Sequence, residues 1–466
     1  MVKDMPIGLR RRQEVAATVL PSEEWGKYVN QSSDVAGFLQ LFFHAGCAAV
    51  GAYVIHYSLA AGSIPGLVVG ELMLGFVSSF YFAGFHEFIH NTAFRTKWIN
   101  KALAHVLGVF IFRGANWFWC FHWLHHRYTQ DPEKDPELSG GSSDLADPSR
   151  SILMYIRFLT GWPFGLERTV GMAKMALGWR VDPWVSEAGM EESVRVEAGV
   201  HVLIYIAFVC TAIFEEHIRA FVIWYWVLPH ILGAGHLRFY QFAEHRACES
   251  GTYTDLDAWG AARTTATWWF YKQLAWNMPF HIEHHAWPAI PFHLLPVVHE
   301  RIKDSQPKNR CLISGDAGYI AIHLDFLRRM WHGEATALDK VEPEAKADVV
   351  SNASSQAKNR LSDREAMGKL PLFTMEEVEK HNTKSNCWVV VKGIVIDATS
   401  FLPNHPGGEM VIVGKAGQDA SKMFKMIHPD GTLERHLPDS CIVGKISEVD
   451  TGKLDEPLLA KTNGQS

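Results

Sequence analysis

Paired thiols are missing from this sequence. Its seven cysteines, Cys47, Cys120, Cys210, Cys248, Cys311, Cys387 and Cys441, are scattered, odd in number and never spaced C-x-x-C. That argues against a disulfide framework or a thiolate zinc site and fits a reducing, cytosol-facing setting. A basic stripe is missing too: the formal net charge is -6, so no nucleic acid partner is expected. No apolar core follows Arg10, Arg11 and Arg12 before residue 35, so the N-terminus reads as a cytosolic tail rather than a cleavable signal peptide. Internal repeats, the mark of a solenoid, are also lacking.

Apolar residues are plentiful. They make up 48% of the chain, with 17 Trp and 27 Phe, which points to membrane embedding. Residues 35–59 carry no formal charge and are long enough to cross about 30 Å of hydrocarbon. A second apolar run covers 67–85, a third about 198–214 and a fourth about 220–237, the fourth kinked at Pro229. Residues 102–112 are too short to cross, and 151–177 mix apolar residues with Arg and Lys; both are expected in the interface. Arg95, Lys97, Lys101 and Arg113 follow the second run, and with the N-terminal arginines they place that side, and both termini, in the cytosol. Asn30 and Asn352, in Asn-x-Ser context, are expected to stay unmodified.

Histidine is the outlier, with 24 copies. Three clusters stand out: His86-Glu-Phe-Ile-His90, His122-Trp-Leu-His125-His126 and His281-Ile-Glu-His284-His285. Residues three and four apart share a helix face, so each cluster can aim its imidazoles at one point. A lone H-x-x-x-H is more often a pair of surface histidines. Eight nitrogens gathered at one membrane face exceed the four that a zinc ion takes and suit two ions with open positions. Glu87 and Glu283, inside the clusters, read either as carboxylates orienting the imidazoles or as solvated side chains. His44, His56, His201 and His230 lie within predicted spans, where buried interhelical hydrogen bonding is expected.

With the pattern HxxxH, HxxHH and HxxHH, the chain from 35 to 330 resembles the membrane-bound fatty acid desaturase superfamily. The resemblance implies a mainly α fold: a four-span transmembrane helical domain with a cytosolic di-iron cap. It implies two Fe ions held by His86, His90, His122, His125, His126, His281, His284 and His285, plus a further histidine near the end of the last span. His245, in the context Phe242-Ala243-Glu244-His245, fits that role, with His236 competing.

A second resemblance lies near the C-terminus. His405-Pro-Gly-Gly408 followed by His428 has the spacing of the two axial haem ligands of a cytochrome b5. Around it sit a Thr374-x-x-Glu377 capping box and a hairpin pattern over 387–397, while Gly417, Asp419, Ala420 and Phe424 complete the pattern. This implies a small α+β cytochrome b5 domain holding haem b as a one-electron donor. The expected layout is a tail at 1–34, the desaturase domain at 35–331, a polar linker at 332–370 that keeps the donor at high local concentration, the haem domain at 371–448 and a tail at 449–466.

Together the resemblances imply a multi-pass enzyme of the endoplasmic reticulum membrane that desaturates an acyl lipid or acyl-CoA with O2. Electrons would come from an NADH-cytochrome b5 reductase through the fused haem. The same site would also serve a hydroxylase, ketolase or epoxidase. A zinc hydrolase would leave the haem without a purpose, and a non-catalytic electron carrier would leave the histidines without one. The C-terminal haem domain and His281 set the chain apart from front-end desaturases, which usually carry the domain N-terminally and a glutamine at that position. Trp117-Phe118-Trp119 and Trp268-Trp269-Phe270 read as acyl-channel lining or as interfacial anchors.

Overall fold

A computed structural model describes residues 27–29, 31–131, 133–139, 151–245, 248, 261–303, 318–333, 370–405, 409–428, 433, 437 and 439–447. Most of the N-terminal tail, the linker from 334 to 369, both Asn-x-Ser asparagines and the C-terminal tail lie outside the described residues.

The larger of two compact units is helical. Helix α1, Asp34–Ala60, starts where the Ser33 hydroxyl accepts from the Ala36 N–H at 3.3 Å. A tight turn leads to α2, Ile64–Ser79, begun by Ser63 and the Pro65 of its first turn. It runs almost unbroken into α3, Tyr81–Ile89, so one apolar segment spans Ile64–Ile89. The chain continues through α4, Lys97–Phe110, α5, Ala115–Tyr128, α6, Ile152–Leu159, α7, Trp162–Ala176, and α8, Glu191–Phe214. Helix α9, Leu228–His245, is preceded by Glu216–Ala220 and by a π-helical stretch, Phe221–Val227. That widened turn sits directly before Pro229, where the missing N–H cannot complete an α-helical bond, and it is the irregularity expected there. The short α10, His281–Ala286, and α11, Leu295–Ile302, precede α12, Tyr319–His332.

Four segments among the described residues are long and apolar enough to cross a membrane: Asp34–Ala60, Ile64–Ile89, Glu191–Phe214 and Glu216–His245. The spans are longer than the uninterrupted apolar runs because their ends carry charge and histidine that become buried against neighbouring elements, as Glu197 and His245 are. The second is 56% buried, against 22%, 17% and 22% for the others, so it is the central helix on which α1 and α9 pack. Glycines permit the approach: a Cβ on Gly233 would collide with the Gly75 carbonyl, and one on Gly75 would lie 3.0 Å from the Pro229 carbonyl. His44 behaves as expected, taking the Trp276 indole N–H at 3.0 Å and donating to the Val77 carbonyl at 3.1 Å. His56 does not: its side chain is exposed on α1. It lies one turn from the end of that helix, where a half-polar ring can reach the interface instead of a helix partner.

The smaller unit is a five-stranded sheet with helices. Strands β1 Leu372–Phe373, β2 Asn382–Thr383, β3 Asn386–Val391, β4 Ile394–Asp397 and β5 Ile442–Ile446 lie in the order β1-β5-β4-β3-β2. β1 runs parallel to β5 and the other pairs are antiparallel. The β3–β4 hairpin turns on Lys392 and Gly393, with φ of 51° and 77°, the pair of positive values that a two-residue hairpin requires. Helix α13, Met375–Val378, begins with the Thr374/Glu377 capping box, and α14, Glu409–Val413, and α15, Ser421–Ile427, follow in the chain. Cys387, Val389, Val391, Ile394, Ile396, Leu402 and Leu433 form the apolar core.

Candidate metal centre and haem site

Helices α3, α5 and α10 and the end of α9 bring nine imidazoles together. His86 and His90 close the second span, His122, His125 and His126 lie on α5, His245 ends the fourth span, and His281, His284 and His285 lie on α10. They sort into two groups of nitrogens, His86, His90, His122, His126 and His284 in one and His125, His245 and His285 in the other. His281 joins the second group, its Nε2 lying 2.9 Å from that of His245 and 3.1 Å from that of His285.

Nitrogen meets nitrogen throughout. In the first group the Nε2 atoms run His90 to His122 at 2.8 Å, His122 to His126 at 3.0 Å and His126 to His284 at 3.1 Å. Hydrogen bonding cannot satisfy that run. A neutral imidazole nitrogen either donates or accepts, so if His122 accepts from both neighbours, nothing remains on His126 for His284. A metal ion does satisfy it: with bonds of about 2.1 Å, two neighbouring ligand nitrogens stand about 3.0–3.4 Å apart. The donor set therefore fits a pair of first-row transition ions, and all-imidazole ligation suits iron among others.

Burial supports the same use. Desolvation, with mutual repulsion behind it, holds His90, His122, His126, His281, His284 and His285 well below their usual value of 6.5. The rings stay neutral and keep their lone pairs. Phe118 lies almost parallel to His122, with centroids 5.0 Å apart, and Trp123 meets the edge of His90 at 5.1 Å. The His126 and His285 rings are partly exposed.

His236 stands apart from both groups. Its Nδ1 meets the Ser79 hydroxyl at 2.8 Å and its Nε2 the Tyr271 hydroxyl at 3.2 Å, so both nitrogens are engaged. Neither cluster glutamate is solvated. Glu87 is buried and takes the Thr92 hydroxyl at 2.8 Å; Glu283 takes the Thr264 hydroxyl at 2.5 Å and the His299 imidazole at 2.6 Å. Trp268 and Trp269 are each 64% exposed, as anchors are. Trp117 donates its indole N–H to Asp182 at 2.6 Å.

Two carboxylates escaped the sequence reading. Asp135, fully buried, accepts from His125 Nδ1 at 3.0 Å. Glu197 on α8 receives the Ala115 N–H at 2.8 Å, the Asn116 N–H at 3.0 Å and the Trp117 N–H at 3.4 Å. It thus caps the helix that carries the middle histidine cluster, whose own first position, Gly114, offers no side chain. The acidic segment 131–137 after that cluster was the available signal for Asp135. An acid just before the third apolar run was the signal for Glu197.

In the smaller unit, the His405 and His428 rings lie with centroids 5.8 Å apart and their planes tilted by 50°. His405 is buried, and Phe424 lies nearly parallel to His428 at 4.3 Å. His428 Nδ1 donates to the Phe424 carbonyl at 3.2 Å, which fixes the orientation of the ring. Leu402, Leu433, Phe401 and Val413 belong to the surrounding apolar cluster. This arrangement fits a planar haem held from both sides.

Comparison with known proteins follows the same division. A family model for fatty acid desaturases matches residues 62–315, more than half of the chain. The chain belongs to the fatty acid desaturase family. Residues 374–447 of this family member match the cytochrome b5-like heme/steroid binding domain. An acyl-lipid (8-3)-desaturase of Physcomitrium patens is 50% identical over 60 residues, 13% of this chain and 12% of that protein. The cytochrome-type L-lactate dehydrogenase of Wickerhamomyces anomalus is 48% identical over 90 residues, 18% of this chain and 16% of that protein. The chain thus spans less than a fifth of these two relatives. Among solved structures, a cytochrome b5 of Ostreococcus tauri virus 2 is 43% identical, covering 16% of this chain and 95% of its own with a TM-score of 0.16.

Proposed function

We propose that the protein is a membrane-bound, O2-dependent desaturase of fatty acyl chains, working with two iron ions and with electrons from its fused haem domain. The observation that carries the reading is the edge-to-edge meeting of imidazole nitrogens at 2.8–3.1 Å in two adjoining groups on this family's scaffold. His86, His90, His122, His126 and His284 would hold one ion, and His125, His245, His281 and His285 the other. When bound, the iron pair supplies the oxygen activation needed to remove two hydrogens from an unactivated methylene pair, chemistry beyond side-chain acids and bases.

The chain's own residues prepare that step. Burial keeps His90, His122, His126, His281, His284 and His285 neutral, and the helix carrying His122, His125 and His126 is held in register by Glu197. His405 and His428 would take both axial positions of haem b, suiting it to single-electron transfer rather than oxygen binding. Acyl lipid or acyl-CoA is the proposed substrate class and an NADH-cytochrome b5 reductase the proposed upstream partner. The proposed setting is the endoplasmic reticulum membrane, with both termini and the metal centre in the cytosol, in keeping with the arginines and lysines at 10–12 and 95–113.

The test is expression in a host lacking the activity, followed by lipid profiling of the wild type and His405→Ala. New unsaturated chains that disappear in the variant, together with its haem absorbance, are the expected outcome. Chains that gain oxygen instead of losing two hydrogens would overturn desaturation in favour of hydroxylation. Unchanged product in the haem-free variant would overturn the fused donor.

A further inference from the structure

The two imidazole groups differ in what stands behind the rings. In the group of His125, His245 and His285, each Nδ1 has a partner. Asp135 accepts from His125 at 3.0 and 3.2 Å, the Ala261 carbonyl from His245 at 3.0 Å, and the Thr129 hydroxyl from His285 at 3.3 Å. Thr129 spends its own proton on the His125 carbonyl at 2.8 Å, so its oxygen is the acceptor toward His285. In the other group the Nδ1 atoms of His86, His90, His126 and His284 are buried with no hydrogen-bond partner among the described residues, as is that of His281. Nearest to His86 is Glu87, at 3.8 Å, beyond a hydrogen bond.

Asp135 is itself built into place. Besides His125 it accepts the Gln130 N–H at 2.8 Å and the Glu137 N–H at 2.9 Å, and it is fully buried. A carboxylate behind an imidazole selects the Nδ1–H tautomer, aims Nε2 and makes it a stronger donor. A ring with no partner has no preferred tautomer and must be oriented by packing alone.

On the di-iron reading above, we propose that the two metal positions are inequivalent. The one formed by His125, His245, His281 and His285 takes its ion first and more tightly, with Asp135 as its positioning residue. The other, in which His86, His90, His126 and His284 have no acceptor behind Nδ1 among the described residues, fills second and loses its ion first.

The test uses the full chain in nanodiscs with its haem retained and its non-haem iron removed by a chelator, titrated anaerobically with ferrous iron. Bound iron per chain is counted at each step. Two steps are expected. Asp135→Asn should weaken the first by roughly 10–100-fold and leave the second in place. His90→Ala should delete the second step and preserve the first. Thr129→Val should weaken the first step by less than Asp135→Asn, and it stands in should the aspartate variant fail to fold, as judged by haem absorbance and monodispersity. Two ions bound with one indistinguishable affinity, or an Asp135→Asn or Thr129→Val effect confined to the second step, would overturn the inequivalence while leaving the metal centre intact. Wild-type protein that takes up no ferrous iron would overturn the metal centre itself, and this proposal with it.

Discussion

Replacing Glu197 with alanine removes the acceptor for three backbone N–H groups at the start of α5 and for His105, whose Nδ1 lies 2.9 Å away. Gly114, at the start of that helix, has no side chain with which to cap it. Losing a helix cap costs about 1 kcal/mol, a hydrogen bond to a charged acceptor about 1.5–3 kcal/mol, and a buried charge at a helix start up to about 2 kcal/mol. These contributions overlap, so about 3–4 kcal/mol is expected for the alanine variant. At about 2–4 °C per kcal/mol, Tm should fall by roughly 6–16 °C. Because His122, His125 and His126 all ride on α5, a shift of its first turn should cost iron as well. Glu197→Gln keeps one acceptor oxygen and should lose about half as much. The assay is thermal unfolding in detergent at a fixed scan rate, with iron counted per chain. A Glu197→Ala protein that melts within about 2 °C of wild type and holds full iron would refute the idea that this carboxylate sets the position of the middle cluster.

Three further outcomes are expected. His105 is held above its usual 6.5, chiefly by its hydrogen bond to Glu197. Its contribution is therefore complete below pH 6.5 and is lost as pH rises through the raised value; Tm should decline slightly over that window in the wild type and not in His105→Gln. The effect is small because the side chain is 48% exposed. Gly233→Ala would drive a Cβ into the Gly75 carbonyl, and it should lower Tm and yield of folded protein, whereas alanine at Gly199, with nothing within 4 Å, should not. Finally, His245→Ala should lower bound iron while His236→Ala should keep it, since both His236 nitrogens are already engaged; equal iron loss in the two would show that His236 also serves the centre.

Much of the molecule was legible in one dimension. Uncharged stretches of twenty or so residues can do little except cross a membrane, and the H-x-x-x-H and H-x-x-H-H spacings put imidazoles on one face because a helix repeats every 3.6 residues. The hairpin and capping box around Trp388 and Thr374 follow from equally local rules. Local pattern decided which residues could act together within each element.

What it could not decide was partnership between distant elements. Glu87, Glu283 and Asp135 look alike on paper. Packing sent Glu283 to His299 and Asp135 to His125, and left Glu87 beyond hydrogen-bond reach of His86. His236 and His245 lie nine positions apart on one helix, so helical phase and length choose between them, and only the crossing of α9 over the second span sets that phase. That His125, His245 and His285 have an acceptor behind the ring while His86, His90, His126, His281 and His284 have none among the described residues depends on atoms contributed by residues 129, 135 and 261, which no spacing rule connects to the histidines they meet.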